Sequence, residues 1–362
     1  MKVAVVTPYY RESPDILRRA HDSVAGQTHS CRHVMVADGF ARAEIDGWDV
    51  EHIRLPQAHG DNGNTPRHIG AAWARDNGFD AVAFLDADNW YEPGHIAGLV
   101  ALHGATGAPV VSARRRIWSL AGAVLLAEGE AADGAGHADT STLMVTRDAF
   151  DLLDLWAAMP RVFSPLCDTI FFYAALFRGH RHAWTPAVTL NFQSHYKDHY
   201  FRALVPAPHD NGVENAFYAA YGAFIRAPAE EMARVFLAAP DLPADLPQRF
   251  AAFGAELAAR DKSGDGLKYL ERAAELLPLD PAPANDLGAA LARRGRHAEA
   301  VPPLRRALDR ASGFAPALHN LGLVMVMQGD GRAGAALLAE AAAGLERLPV
   351  RRLAYGFVVV AG

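Results

Sequence analysis

The stretch Phe84-Leu85-Asp86-Ala87-Asp88-Asn89-Trp90 ends an apolar run in two carboxylates separated by one small residue. Two carboxylates this close repel unless a proton or a cation lies between them. Hard oxygen donors beside a phosphate suit Mg²⁺ or Mn²⁺. While the chain stays extended, alternate residues point the same way, so Asp86 and Asp88 can face one crevice. In an open α/β sheet, ligands bind beyond the carboxyl ends of the strands. A turn or a helix N-cap after a strand is the other use of such Asp residues. A second feature is Asn64-Thr65-Pro66-Arg67. A capped helix start presents free N–H groups and a positive dipole to an anion. Arg67 in the first turn adds a fixed, forked cation, or is simply a solvated helix residue.

The elements that must hold these groups alternate up to about residue 190. Val3 to Thr7 is an apolar strand, and Ser13-Pro14 then opens a helix as N-cap and first-turn Pro. His33 to Ala37 is a second strand, ending at Asp38-Gly39. Thr65-Pro66 opens a helix through about Asn77, which Gly78 stops. Asp80 to Leu85 is a third strand and delivers Asp86. Val110-Val111 and Ser141 to Val145 are further short strands. This rhythm predicts an α/β domain with a mostly parallel sheet.

After about residue 247 the rhythm is Ala- and Leu-rich helix. Phe253-Gly254, Leu287-Gly288 and Leu321-Gly322 recur every 34 residues. Leu257, Leu291 and Met325 follow in phase, as do Leu270, Leu304 and Leu338, and the small Ala273, Ala307 and Ala341. The period and pattern resemble three tetratricopeptide repeats, at 247–280, 281–314 and 315–348. Phe250, Ala284 and Leu318 stand where that family has Trp, and Gly266 and Gly334 replace the Ala at the helix crossing. Pro302-Pro303 is expected to bend or delay its helix. Residues 201–246 read as a helical extension and Pro-rich linker, and 349–362 as a C-terminal tail. An Ala-rich bundle with accidental periodicity is the plainer alternative.

Taken together, the elements of residues 1–200 resemble the GT-A type nucleotide-sugar glycosyltransferases, family 2 in particular. The resemblance implies a GT-A α/β domain and, with a single displacement, an inverting transfer from a nucleoside-diphosphate sugar to a hydroxyl acceptor. It implies that Thr7, Asp38 and Arg67 hold the nucleotide. Where the family commonly has two acids before Gly39, only Asp38 remains. It implies that Asp86 and Asp88 are the metal and diphosphate motif. Leu166-Cys167-Asp168-Thr169 stands where the family has an acidic pair, with Asp168 at the position of the catalytic base. A carboxylate there can take the acceptor's proton as its oxygen attacks the anomeric carbon, or merely cap the helix that follows. His195 matches a third metal ligand beside Asp86 and Asp88, with Mn²⁺ or Mg²⁺ as cofactor. For His195 and His199, core or surface packing is the common alternative. Trp90 and Tyr91 can stack on a sugar or pack under the site. Arg114-Arg115-Arg116 can meet diphosphate or acceptor, or form a solvated face. His59 to Gly63 is a polar turn able to fold over a nucleotide.

Composition bounds the alternatives. The 362 residues are 51% hydrophobic and 21% charged, with net charge −6, which argues against a disordered chain, a general nucleic-acid binder or a polybasic anchor. Cys31 and Cys167 build neither a disulfide framework nor a zinc ribbon, and no apolar run spans a bilayer. The expectation is a cytoplasmic protein, or one peripheral at the inner face of a membrane. No G-x-G-x-x-G or P-loop follows a strand. Expected partners are a nucleoside-diphosphate sugar donor, an acceptor that is a glycan, a lipid-linked glycan or a protein, and a protein or a second copy on the repeats. A non-catalytic scaffold with an inactive transferase domain, or a sugar nucleotidyltransferase, are the rival readings.

Overall fold

Val3, Ala4, Val5 and Val6 have no more than 1% of their surface exposed, and this all-apolar run forms the middle of a sheet covered on both faces. The structure is a computed structural model that describes residues 1–128, 136–208, 212–260 and 263–360. Two units separate by their internal contacts, Met1–Ala227 with Arg234–Ala239, and Pro228–Ala233 with Pro240–Gly362.

In the first unit the order is β1 (Val3–Tyr9), α1 (Pro14–Ala25), β2 (Cys31–Asp38), β3 (Glu51–Leu55), α2 (Asn64–Asp76), β4 (Ala81–Phe84), β5 (Trp90–Tyr91) and α3 (His95–Thr106). There follow β6 (Val110–Trp118), β7 (Val124–Leu126), β8 (Leu143–Thr146), α4 (Leu155–Ala158), α5 (Cys167–Phe177), β9 (His182–Gln193), α6 (Lys197–Arg202) and α7 (Val213–Arg226). The sheet order is β3-β2-β1-β4-β8-β6-β9-β5, with β7 on β6. β3, β2, β1 and β4 are parallel. Beyond β4 the sheet becomes mixed, because β8 runs antiparallel to both β4 and β6, and β5 antiparallel to β9. β6 and β9 pair in parallel and run in the same direction as the first four strands, so the expectation of a mostly parallel sheet holds for six strands, with β5, β7 and β8 reversed. Helix crossovers return β1 to β4 in one direction, whereas β8 arrives between β4 and β6 without such a crossover.

Local signals explain the helix starts. Ser13 Oγ accepts from Ile16 N at 3.5 Å, with Pro14 in the first turn of α1. α2 begins one residue before Thr65, at Asn64, and Thr65 instead donates its amide and hydroxyl to Asp61 Oδ2. Gly70 packs α2 against the sheet so closely that a Cβ there would lie 2.5 Å from Val6 Cγ1.

In the second unit, α8 (Ala229–Leu237), which the division of the units crosses, precedes α9 (Leu246–Ala259), α10 (Ser263–Leu276), α11 (Pro281–Arg293), α12 (His297–Arg310), α13 (Ala315–Met327) and α14 (Gly331–Leu345). β10 (Val350–Arg352) and β11 (Val358–Val360) close it as an antiparallel ladder. The helices form three antiparallel pairs whose crossings repeat. A Cβ on Gly254, Gly288 or Gly322 would lie 2.6, 2.5 or 2.9 Å from Cγ of Leu270, Leu304 or Leu338. Ala273, Ala307 and Ala341 are fully buried at equivalent places. Gly266 and Gly334 lie against the backbone oxygens of Gly254 and Gly322, so two of the crossings are closer than Ala would permit. α12 starts at His297 and carries Pro302 and Pro303 inside it, so the helix is not delayed. Burial of Pro303 and Leu304 offsets the lost backbone bonds. Among the described residues, no helix is long and apolar enough to cross a membrane.

Candidate active site

The ends of β1, β2 and β4 open into a cleft of about 490 Å³ lined by Pro8, Tyr9, Asp38, Arg67, Asp86 and Asp88 together with the turn 60–63. The parallel half of the sheet places these residues together, since its strands all end on one side. The turn is left-handed at Gly60, Asn62 and Gly63. At Gly63 a Cβ would meet Pro8 and Arg67 at 3.2–3.3 Å, so glycine is required by both its conformation and its neighbours.

Arg67, buried in the first turn of α2, is the hinge of the site. Its Nη2 pairs with Asp86 Oδ1, and its Nη1 donates to Asn62 O at 2.7 Å. Nη1 also lies 3.9 Å from Cys167 Sγ, and the guanidinium sits 5.3 Å from the Trp156 ring. Arg67 thus ties the Asp86 turn to the start of α5. Burial works against its charge, but Asp86 outweighs that and raises its pKa.

Asp86 and Asp88 have different surroundings despite their spacing. Asp86 carries the Arg67 pair, and its amide donates to Ser141 Oγ at 3.0 Å. Asp88, as exposed as Asp86, has its Oδ2 3.5 Å from His195 Nε2. Two donors in adjacent positions on a small hard cation lie about 3 Å apart, given metal–oxygen distances near 2.1 Å. The Asp88–His195 separation and the donor chemistry therefore fit Mn²⁺ or Mg²⁺, whereas Asp86, paired with Arg67, does not form a cluster with both of them. Asp88 raises the pKa of His195, chiefly by hydrogen bonding.

Asp168 stands in the first turn of α5. Its Oδ1 accepts from Thr169 N at 2.6 Å, and its Oδ2 meets His137 Nε2 at 3.2 Å. Burial pulls its pKa upward, but His137 and the Thr169 amide prevail and hold it below the usual carboxylate value. Two residues after His137, the buried Asp139 accepts from Arg115 Nη1 at 2.6 Å and from Ser141 N at 2.9 Å. Burial raises the pKa of Asp139 to about 6, with Arg115 opposing it. Donor atoms of His137, Asp139 and Asp168 lie within 4.8 Å of one another, near enough to share an ion. Both oxygens of Asp139 are already hydrogen-bonded, however, which leaves this cluster better suited to fixing Asp168 than to coordination. Segment 137–141 also spans the site, since Ser141 holds Asp86 and Asn89 while His137 holds Asp168.

The remaining sequence-predicted residues divide. Asp38 lines the cleft, but its oxygens accept from the His59 amide and ring and from Gly60 N, so it also anchors the loop beside the cleft. Thr7 is fully buried and bonds His33 Nε2 at 2.9 Å, so its side chain is not brought to the cleft surface; Pro8 and Tyr9 are. His199 is buried on Ser194 at 2.6 Å. Tyr91 packs beneath the site with its hydroxyl donating to Phe84 O, while Arg19 lies 4.1 Å from the Trp90 ring. The arginine run is no solvated face, since Arg115 is buried and Arg116 pairs with Glu92. His137, Asp139 and Arg115 escaped the sequence reading of the base. The signal available was His-x-Asp at alternate positions before a short strand.

A match of 37% identity over 114 residues links the chain to "Succinoglycan biosynthesis protein ExoW" of Rhizobium meliloti, covering 26% of this chain and 32% of that protein, so the chain spans about a third of this relative's length. Among solved structures, S. aureus TarS 1-349 in complex with UDP covers 77% of this chain and 92% of its own, at 13% identity and a TM-score of 0.42. The same protein in complex with UDP-GlcNAc gives 13% identity, the same coverages and a TM-score of 0.43. The family model "Glycosyl transferase family 2" matches residues 4–123, which hold Asp38, Arg67, Asp86 and Asp88 and stop before His137, Asp168 and His195. Those residues carry a glycosyl transferase family 2 domain.

Proposed function

We propose that this chain is a metal-dependent, inverting glycosyltransferase that moves a sugar from a nucleoside-diphosphate donor to a hydroxyl acceptor, with residues 1–200 as its catalytic domain. The observation that carries the reading is the cleft itself, where Asp38, Arg67, Asp86 and Asp88 meet at the carboxyl ends of parallel strands. The family match over residues 4–123 supports it.

Tyr9, Asp38 and the turn 60–63 bind the nucleoside, and Thr7 supports that wall from beneath through His33. The positive end of the α2 dipole and the Arg67 cation favour the diphosphate. Asp88 and His195 would hold the cation, with Asp86 fixing Arg67 beside it. When bound, Mn²⁺ or Mg²⁺ supplies Lewis-acid stabilisation of charge on the departing diphosphate. Asp168 accepts the proton of the acceptor hydroxyl as its oxygen bonds to the anomeric carbon and the bond from that carbon to the diphosphate breaks. His137 and the Thr169 amide keep Asp168 ionised and aimed. One displacement inverts the anomeric centre.

Residues 247–348, with the 34-residue period and repeated helix crossings, act in this reading as tetratricopeptide repeats that recruit the acceptor or a protein partner. The test is a thermal-shift and turnover panel of UDP-, GDP-, CMP- and dTDP-linked sugars with and without Mn²⁺. One donor should raise the melting temperature only with the metal, and yield nucleoside diphosphate on turnover. Release of pyrophosphate from a nucleoside triphosphate, or no uptake of any donor, would overturn the reading.

A further inference from the structure

In the second unit, strand β11 lies along the first helices of the helix pairs, and side chains there read its backbone. Asn320 Oδ1 accepts from Val358 N at 2.8 Å, and Asn320 Nδ2 donates to Val358 O at 2.7 Å. This reciprocal pair is the bonding that a residue of a neighbouring strand would offer. Asp286 Oδ1 accepts from Val360 N at 2.9 Å. Asp286 and Asn320 occupy the same place in successive repeats, each two residues before the crossing glycine. Successive repeats thus bind alternate residues of one extended strand. Asn285 completes the row, accepting from Asn320 Nδ2 at 2.8 Å and donating to Asp286 Oδ1 at 2.9 Å.

Asn285, Asp286 and Asn320 are all buried. Buried amides demand partners, and an unsatisfied one costs about 1–3 kcal/mol. A helix could not supply them, because its own backbone groups are already paired. An extended segment can. Its side chains must be apolar, since Phe357 and Val359 are fully buried within the apolar cluster of the unit. Residues 350–360 hold this seat with little structure of their own. The β10–β11 ladder has three residue pairs, and Tyr355 in the turn is left-handed at φ 60° and exposed. A hairpin so short is not stable alone, and an aromatic residue in that conformation is strained.

We propose that this face is a docking seat for an extended, apolar strand of a partner protein, and that residues 357–360 are a resident plug which such a strand replaces. The inference deepens the recruitment reading of the repeats and does not involve the transfer site. The probe is a fluorescein-labelled peptide with the sequence of residues 355–360, added to the full chain. Val358→Pro removes the N–H that Asn320 accepts and leaves the seat itself untouched. The Val358→Pro chain should bind the peptide at least ten-fold more tightly than the unmodified chain, by anisotropy. Adding Asn320→Ala should cancel that gain. In the unmodified chain, excess peptide should speed hydrogen exchange at the Val358 and Val360 amides at least ten-fold, a measurement that does not depend on the variant folding. Exchange unchanged by excess peptide, or binding indifferent to Asn320, would overturn the proposal. A chain that transfers sugar but takes up no peptide keeps the transferase reading and loses this one. Peptide uptake with acceptor turnover unchanged keeps the seat and removes its role in acceptor recruitment.

Discussion

His137 Nε2 lies 3.2 Å from Asp168 Oδ2, and the backbone that carries His137 is fixed two residues later by the Arg115–Asp139 pair. A histidine on one segment therefore sets the orientation and basicity of a carboxylate at the start of a helix.

His137→Gln tests that relationship. Loss of the imidazole removes a group that favours the ionised carboxylate, so the pKa of Asp168 rises. The acidic limb of the kcat/KM profile should move to higher pH. Donor affinity, read by thermal shift, should stay unchanged. An unmoved limb with reduced kcat would make His137 a packing residue only.

The two carboxylates of the Asp-Ala-Asp turn should separate by experiment. Asp86→Asn strands the buried Arg67 cation and should lower stability by on the order of 2–3 kcal/mol in urea titrations. Asp88→Asn loses only the 3.5 Å pair with the partly exposed His195, so stability should change by less than about 0.5 kcal/mol. Turnover should nevertheless fall at least about 100-fold.

Arg115→Met should give a pH-dependent loss. The folded-state pKa of Asp139, raised to about 6, lies above its unfolded value. Such a group favours the folded state at low pH and loses that advantage as pH rises from about 4 to about 6. Without Arg115 the upper end of this window moves higher still. The variant should be near wild type at pH 5 and weaker by on the order of 3 kcal/mol at pH 8, where the carboxylate ionises unpaired. Equal destabilisation at both values would show that Asp139 stays neutral beside Arg115.

Glycines offer a check on packing. Gly288→Ala puts a Cβ 2.5 Å from Leu304 Cγ and should cost about 1–3 kcal/mol. Gly98→Ala, inside α3 with nothing within 4 Å of its Cβ, should stabilise by about 0.5–1 kcal/mol. Thermal melts of the two variants should move in opposite directions.

By itself the sequence determined the strand-to-Asp86 junction, the capped start of α1, and the 34-residue rhythm of helix, glycine and leucine. These depend on local periodicity and capping, which neighbouring residues decide. Only the tertiary structure decided that β5, β7 and β8 run against the other six strands, because pairing partners are chosen by packing between distant segments. It also decided that Thr7 is buried on His33, that Arg115 serves Asp139, and that His137 reaches Asp168. Each of those is a polar group whose partner lies far away in the chain, and burial gives it no water to fall back on. The seating of Val358 on Asn320 is of the same kind. A short apolar strand reveals its composition in the sequence, but only the fold shows which buried amide meets its backbone.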